Sequence, residues 1–497
     1  MSQFSRPILA LAICAAITAC GSSPADVAAP TAPASAVPAT GRTTRTRLLD
    51  WPEFGLDPRR SDTSSLSTGI TSASLDHLRR VTVSLPGTVD SSPVYVHQAS
   101  VDGGRHSAVI LTTSYGKTLA IDAGSGRALW TFTPRGYSSW ASSSQITNTS
   151  PLVDPDRRFV YAASPNGQIH KLTLAGGHEA KGWPVSVTRD PTHEKLGAAL
   201  GIDGAYLLVA TSGYFGDAPP YQGHLVAIAR SSGRIASVFN TLCAKRRAII
   251  VPSSCSASDS AILSRGGAVV EPGGGRLLVS TGNGPWNGRT NLGDSVIELS
   301  LAGLHLRQAF TPTDQAQLNE SDTDLGSSAP VLLGQGRVLI AGKDGVMRVL
   351  SLSHLDGRSP SIPNRLGGEV QQLPLPGGGQ LFSAPAVWTH AGATTMFVGA
   401  EEATAAYTLR GGRLRLVWQN SHPGTSPILA GGLLYVYDPS GGGIYVYRPS
   451  SGSPIAKLPG SPGHWNSPIV VDGHVIEPEG NANDHSLGDT LDLFSAG

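Results

Sequence analysis

The sequence lacks several features that would assign it quickly to a class of protein. It has four cysteines in 497 residues, with no Cys-x-x-Cys-His segment for covalent haem and no Cys/His spacing typical of zinc. Aromatic residues make up 6% of the chain, and the net charge is +1. A balance this close to neutral predicts no nucleic acid partner. After the first 20 residues, no apolar run is long enough to span a bilayer.

Glycine and proline are abundant, with 60 and 36 residues, and one short phrase recurs. Segments that read Ser-Pro or Ala-Pro and continue with apolar residues return along the chain. The clear copies begin at Ser92, Ser150, Ala384, Ser426 and Ser467. A variant with one inserted residue reads Ser328-Ala329-Pro330, and weaker copies lie near Ala199 and Val269. Eight copies at a period of roughly 40–60 residues, built of short strands and turns, predict a propeller. We therefore expect an all-β fold, an eight-bladed β-propeller of four-stranded antiparallel blades.

Two strands have no complete blade of their own. The segment from Leu78 to Leu85 has the pattern of a strand but belongs to no repeat, and the last repeat ends in a strand from Thr490 to Phe494. Pairing of these two segments would complete the eighth blade and remove an open sheet edge. The sequence thus predicts a ring that is closed by its two ends, and we expect a monomer.

The first 20 residues are typical of a targeting signal. Arg6 precedes a short apolar run, and the segment Ile17-Thr18-Ala19-Cys20 is similar to the bacterial lipoprotein box. An ordinary signal peptide is the alternative. Acyl chains on Cys20 would anchor the protein to the outer face of a membrane.

Three regions follow from this interpretation. We expect residues 1–20 to be a lipoprotein signal peptide and residues 21–47, rich in Ala, Pro, Ser and Thr, to be a disordered tether without a core. Residues 48–497 would form the propeller. The expected location is the bacterial cell envelope, with the protein exported and lipid-anchored to the membrane.

The remaining pair of cysteines, Cys243 and Cys255, lies in one insertion between repeats. Because an exported protein meets an oxidising environment, we expect these two cysteines to form a disulfide.

One repeat carries a specific family resemblance. The segment from Ala120 to Trp130 reads Ala-x-Asp-x-x-Ser-Gly-x-x-x-Trp and resembles the tryptophan-docking repeat of pyrroloquinoline quinone (PQQ) proteins. The segment from Asp50 to Arg60 looks like the opening of PQQ-dependent dehydrogenases. The resemblance extends over roughly residues 50–497. Trp130 and Trp418 are expected to pack between blades and to carry no chemistry.

The propeller geometry predicts where a ligand would bind. The start of each first strand and the end of each second strand lie on one face, here called the top face, where loops converge on the axial channel. Asn283 and Lys343 follow second strands, and Asp324 precedes a first strand. We therefore expect these three side chains to share the top face, together with Trp465.

The resemblance assigns roles to these residues. Asn283, Asp324 and Asp217 would bind calcium, Asp324 would also be the catalytic base, and Lys343 and Trp465 would contact PQQ. Each residue also has a structural interpretation: Asn283 and Lys343 suit tight turns, and Asp324 could hold its loop.

The chain departs from the quinoprotein pattern at several positions. It has no adjacent pair of cysteines, and the calcium-binding glutamate is absent, which leaves Asp217 as the nearby carboxylate. Arg265 stands where the family has a stacking tryptophan, and Leu381-Phe382 replaces an Asn-Trp pair.

Two functions of different class remain open at this point. The first is a PQQ- and calcium-dependent dehydrogenase of alcohols or related hydroxy compounds, with a small-molecule substrate at the top face. The second is a non-catalytic propeller lipoprotein, similar to the propeller of the outer-membrane protein assembly machinery, that binds a protein or ligand with the same face.

Overall fold

The structure is a computed structural model that describes residues 49–214, 218–483 and 488–496. The signal segment, the tether, Cys20 and Asp217 therefore lie outside the described residues. Within the described ranges the fold is an eight-bladed β-propeller, as the repeats predict. No helix of the described residues is both long and apolar enough to cross a membrane.

Each blade is a four-stranded antiparallel sheet whose strands follow one another outward from the axis. Blade 1 contains Val94–Val101, Gly104–Thr112, Thr118–Asp122 and Ala128–Phe132. Blade 2 contains Leu152–Val153, Phe159–Ser164, Gln168–Thr173 and Val185–Ser186. Blade 3 contains Gly201–Asp203, Tyr206–Ala210, His224–Ala229 and Ile235–Asn240. Blade 4 contains Val269–Val270, Arg276–Ser280, Val296–Ser300 and His305–Phe310.

The second half of the ring repeats this order. Blade 5 contains Val331–Gly334, Arg337–Ile340, Val346–Ser351 and Gln371–Pro374. Blade 6 contains Ala386–His390, Ala393–Gly399, Thr404–Arg410 and Arg413–Gln419. Blade 7 contains Ile428–Ala430, Leu433–Tyr437, Ile444–Tyr447 and Pro454–Leu458. Blade 8 contains Ile469–Val471, His474–Pro478, Thr490–Ser495 and Arg79–Ser84.

The eighth blade confirms the predicted closure. Arg79–Ser84 pairs antiparallel with Thr490–Ser495, in a register that sets Arg79 opposite Ser495 and Ser84 opposite Thr490. A strand from the early part of the described chain thus becomes the outer strand of the last blade. This pairing joins the ring by backbone hydrogen bonds.

The core lies between the blades. In blade 7 every residue of Leu433–Tyr437 is buried, because both faces of this strand pack against neighbouring blades. The outer strand of blade 6, Arg413–Gln419, exposes most of its side chains. Trp130 and Trp418 confirm the docking role: their indole N–H groups donate to the carbonyls of Leu174 and Pro449 in the following blade, each at 2.9 Å.

The segment after residue 49 crosses the axial channel. It makes backbone hydrogen bonds to the innermost strands of blades 1, 2, 4, 6 and 7. The bonded pairs are Trp51 with Tyr95, Pro52 with Val153, Pro58 with Val270, Ser61 with Val387 and Asp62 with Leu429. Near its end, Thr63–Ser64 pairs in parallel with Ile428–Ala430. Because this segment crosses the channel, we expect the cavity at the top face to end at a floor and not to continue as a pore.

Short elements complete the described fold. Glu194–Lys195 pairs with Ser212–Gly213 as a small ribbon beside blade 3. The α-helix α1 spans Gln315–Glu320. Single 3-10 turns lie at Leu75–His77, Tyr137–Ser139, Pro252–Ser254, Ala302–Leu304, Leu325–Ser327 and Pro376–Gly378. The disulfide between Cys243 and Cys255 is present, with Cα atoms 6.2 Å apart, as the sequence predicts.

Candidate functional site

Three loops of blades 4 and 5 bring Asn283, Asp324 and Lys343 together at the top face. Asn283 follows the second strand of blade 4, Lys343 follows the second strand of blade 5, and Asp324 precedes the first strand of blade 5. The loops approach one another closely: a Cβ atom on Gly282 would lie 2.1 Å from Asp324 Oδ1. Glycine at that position is therefore required for the carboxylate to sit where it does.

The Asp324 carboxylate is held by two donors. The Asn283 main-chain N–H donates to Asp324 Oδ1 at 2.8 Å, and the Lys343 ammonium lies 2.5 Å from Asp324 Oδ2. Burial raises the pKa of Asp324 above its ordinary value, although Lys343 opposes the shift. Burial also opposes the charge on Lys343, yet the carboxylates of Asp324 and Asp322 raise the pKa of that amine. The two groups form a partly buried ion pair at the wall of the pocket.

The side chain of Asn283 joins the same group of charges through Asp322, whose Oδ1 atom also lies 3.4 Å from the Lys343 amine. Its amide nitrogen donates to Asp322 Oδ1 at 2.5 Å. Its Oδ1 atom is buried and has no hydrogen-bond donor among the described residues. An amide oxygen without a donor can accept a hydrogen bond from water or serve as a ligand of a hard cation.

The remaining donors do not make up a calcium site. Calcium takes six to eight oxygen ligands, but both oxygens of Asp324 already face donors of the protein. Within residues 49–214, 218–483 and 488–496, no group of three His, Cys, Asp or Glu side chains is placed to hold a metal. Calcium therefore does not fit the described residues, and we derive no step that uses it.

A second charged group forms the floor of the pocket. The Asp90 cluster consists of Asp90, Asn148, Arg265 and His464. Arg265 Nη2 donates to Asp90 Oδ1 at 2.7 Å, and His464 Nδ1 and Asn148 Nδ2 lie 2.7 and 3.0 Å from Asp90 Oδ2. The main-chain N–H of Ala482 also donates to Asp90 Oδ2, at 3.1 Å. Burial would raise the pKa of Asp90, but Arg265 and His464 bring it down to about 2.

Aromatic rings form one wall. The Trp465 ring stacks on Phe382 with centroids 4.3 Å apart and on His464 at 3.8 Å. The Arg265 guanidinium lies 5.4 Å from the Trp465 ring centroid. The pocket thus has a guanidinium that Asp90 and Trp465 hold in position.

These groups surround one cavity of about 300 Å³, which we name the mouth cavity. Its lining includes Asp324, Lys343, Arg265, Trp465 and Lys195. Burial and the nearby Arg265 charge lower the pKa of Lys195 to about 8, against the opposing effect of Asp90. The mouth cavity therefore presents three basic side chains to a ligand, together with the carboxylates of Asp322 and Asp324.

The structure brings most of the predicted site residues to the same place. Asp324, Lys343 and Trp465 line the mouth cavity, and Asn283 touches Asp324 through its main chain. Asp217 lies outside the described residues. Sequence reasoning missed Lys195 and Asp90 as site residues. The position of Asp90 was a usable signal, because it directly precedes the Ser-Ser-Pro phrase at the start of blade 1.

The fold has close counterparts among solved structures. A quinohemoprotein alcohol dehydrogenase from Comamonas testosteroni superimposes with a TM-score of 0.65 at 15% identity, covering 91% of this chain and 81% of that one. A europium-containing methanol dehydrogenase gives a TM-score of 0.65 at 14% identity, covering 92% of this chain and 100% of the other. BamB from Moraxella catarrhalis gives a TM-score of 0.52 at 12% identity, with 84% and 98% covered.

Sequence comparisons add no closer relationship. No protein-family model matches the chain, and no curated protein matches it either. At identities of 15% and below, a structural likeness is evidence of the fold alone. The chain therefore has the eight-bladed propeller fold that quinoprotein dehydrogenases also have, and its function must be argued from the residues at its mouth.

Proposed function

We propose that this chain is an envelope protein that binds a small planar organic anion in the mouth cavity, with PQQ as the first ligand to test. The observation that carries this proposal is the convergence of Lys195, Arg265 and Lys343 on one cavity of about 300 Å³. A volume of this size is typical of small-molecule sites. PQQ is a planar quinone with three carboxylates, so its charge suits three basic side chains.

The roles of the residues follow from their surroundings. Lys343 and Lys195 would each bind one anionic group of the ligand. Arg265, fixed by Asp90 at 2.7 Å, would present the flat face of its guanidinium to a planar ring. When bound, PQQ supplies the capacity to accept electrons from an organic substrate.

A dehydrogenase of alcohols or related hydroxy compounds is the finer form of this proposal. The observation that favours it is Asp324, a buried carboxylate at the cavity wall whose pKa is raised by burial. A carboxylate with a raised pKa is a stronger base and can accept a proton from a bound hydroxyl group. Without a calcium ligand set among the described residues, this activity has weaker support than binding.

Ligand binding is tested on the purified full chain. PQQ is added in EDTA and, separately, with Ca²⁺, and the melting temperature and quinone absorbance are followed. Binding at a concentration 100 times the Kd adds about 2.7 kcal/mol to stability, so we expect a clear rise in both conditions. Lys343→Met should reduce the rise, whereas the surface variant Lys245→Met should leave it unchanged. Equal melting temperatures with and without PQQ would reject this ligand.

Catalysis needs a separate measurement. Dye-linked oxidation of a panel of alcohols with PQQ and Ca²⁺ should be lost in Asp324→Asn while the PQQ-induced rise in melting temperature remains. If PQQ binds and no alcohol is oxidised, the binding proposal stands without the enzyme. If neither is seen, the non-catalytic scaffold at the top face becomes the better interpretation.

The envelope location is a further part of the proposal. Cys20 and its lipobox support a lipid anchor, with acyl chains as the attachment. Cys20→Ser should move the protein out of the membrane fraction or block its maturation. Unchanged fractionation of that variant would reject the lipid anchor, but it would not bear on the proposal of ligand binding in the mouth cavity.

A further inference from the structure

Lys195 lies where two cavities meet. Its side chain lines the mouth cavity and also a neighbouring side cavity of about 410 Å³ that includes Gln145, Thr192 and Asn483. Its main chain is fixed, because the ribbon residue Lys195 pairs with Ser212. A ligand in either cavity would therefore meet the Lys195 amine.

Lys195 differs from the other basic groups of the mouth. Lys343 has the Asp324 carboxylate at 2.5 Å, and Arg265 has Asp90 at 2.7 Å. Among the described residues, no ion pair includes Lys195. Lys195 is thus the basic group of the mouth that has no carboxylate partner among the described residues.

The surroundings of Lys195 favour the neutral amine. Burial and the positive charge of Arg265 bring its pKa to about 8, from an ordinary value of about 10.4. An amine that is desolvated and close to another cation is the arrangement that activates lysine as a nucleophile toward carbonyl groups. Close to pH 8, about half of the Lys195 side chains would carry a free lone pair.

We propose that Lys195 forms a reversible imine with the carbonyl group of a small oxo acid bound in the mouth. The Nζ lone pair attacks the carbonyl carbon, the carbonyl oxygen leaves as water, and a C=N bond replaces the C=O bond and two N–H bonds. No electrons are gained or lost. The ligand class rests on the anion site proposed above, since the acid group of the ligand would be held by Lys343 or Arg265.

The test uses pyruvate as the probe. The full chain is incubated with pyruvate and sodium cyanoborohydride at pH 8, digested and mapped by mass spectrometry. Reduction of the imine leaves a 1-carboxyethyl group on the lysine. The chain has only seven lysines, so every site can be followed. We expect labelling at Lys195 at least ten-fold above that at Lys181 and Lys245, which are exposed.

Two variants and a neutral probe complete the design. Lys195→Met should lose the label at position 195, and Lys195→Arg should lose it while keeping a thermal response to pyruvate, because arginine retains the charge but forms no imine. Acetone, which has the carbonyl but no acid group, should label Lys195 at least ten-fold less than pyruvate does.

The outcomes separate the two proposals. Labelling of Lys195 no faster than that of Lys181 overturns the imine. Equal labelling by acetone overturns the oxo acid as the ligand class. A rise in melting temperature with pyruvate and no label at Lys195 overturns the imine while the anion site stands. No thermal response and no label overturn both.

Discussion

Two groups of buried carboxyl side chains in this ring have opposite surroundings. The Asp90 cluster at the mouth gives its central carboxylate four donors, and the pKa of Asp90 falls to about 2. The Glu477 cluster, formed by Glu477, Glu479 and Asp492 in blade 8, leaves both oxygens of Glu477 without a described donor. Burial and the neighbouring Glu479 and Asp492 raise the pKa of Glu477 well above its ordinary value.

The difference shows what burial requires of a carboxylate. A buried charge is tolerated when basic and amide donors satisfy it, and otherwise the group takes a proton and becomes neutral. Asp90 is thus held in its ionised form and joins separate parts of the ring, while burial favours the protonated form of Glu477, which lies on the second strand of blade 8. The first arrangement fixes the floor of the mouth cavity, and the second is part of the packed interior of blade 8.

The largest expected effect comes from removing the charge on Asp90. Asp90→Asn keeps the shape but leaves the Arg265 guanidinium buried without its counter-charge, so we expect a loss of about 3–5 kcal/mol. Urea unfolding followed by intrinsic fluorescence measures it, with the exposed Asp76→Asn as the matched control. The double variant Asp90→Asn/Arg265→Gln should recover part of the loss, because it removes both charges. A loss below 1 kcal/mol would mean that the cluster does not hold the mouth together.

The fold could be predicted from the sequence because its signal is local and repeated. The Ser-Pro phrase marks the start of each blade, and the orphan strand from Leu78 to Leu85 could only close the ring. The convergence of Asn283, Asp324 and Lys343 followed from the direction of the strands. These inferences need no knowledge of which side chains meet.

The Asp90 cluster could not be predicted in the same way. Its contacts join Asp90 to Arg265, 175 residues away, and to His464, 374 residues away, and no local pattern encodes such pairs. Glu194 is a similar case, because it turns inward to meet His224 at 2.8 Å, with both side chains fully buried. That Lys195 has no ion-pair partner among the described residues is likewise visible only in the folded structure.

The second prediction concerns the pH dependence of Glu477. Its pKa in the folded protein is raised above the unfolded value of about 4.3. The unfolded chain therefore loses this proton at a lower pH than the folded one. Stability from this group is highest below about pH 4, and it declines as the pH rises from there toward the folded pKa.

Glu477→Gln removes that dependence because the amide does not ionise. We expect the variant and the parent to differ little at pH 4.5, and the variant to gain roughly 1–3 kcal/mol relative to the parent at pH 8. Thermal unfolding at both values measures this, with the exposed Glu402→Gln as the control. If the difference between variant and parent is the same at pH 4.5 and pH 8, Glu477 is not the buried acid that the comparison requires.

The smallest loss of stability is expected at Asn148. It tests whether the other donors to Asp90 can hold the carboxylate when one donor is removed. Asn148→Ala removes one donor to Asp90 Oδ2, but His464 Nδ1 and the Ala482 N–H remain on that oxygen. We therefore expect a loss of only about 0.5–1.5 kcal/mol. The same substitution in the Asp90→Asn background should cost less, since the acceptor no longer carries a charge. A cost that is equal in both backgrounds would mean that Asn148 stabilises the top face through its packing and not through Asp90.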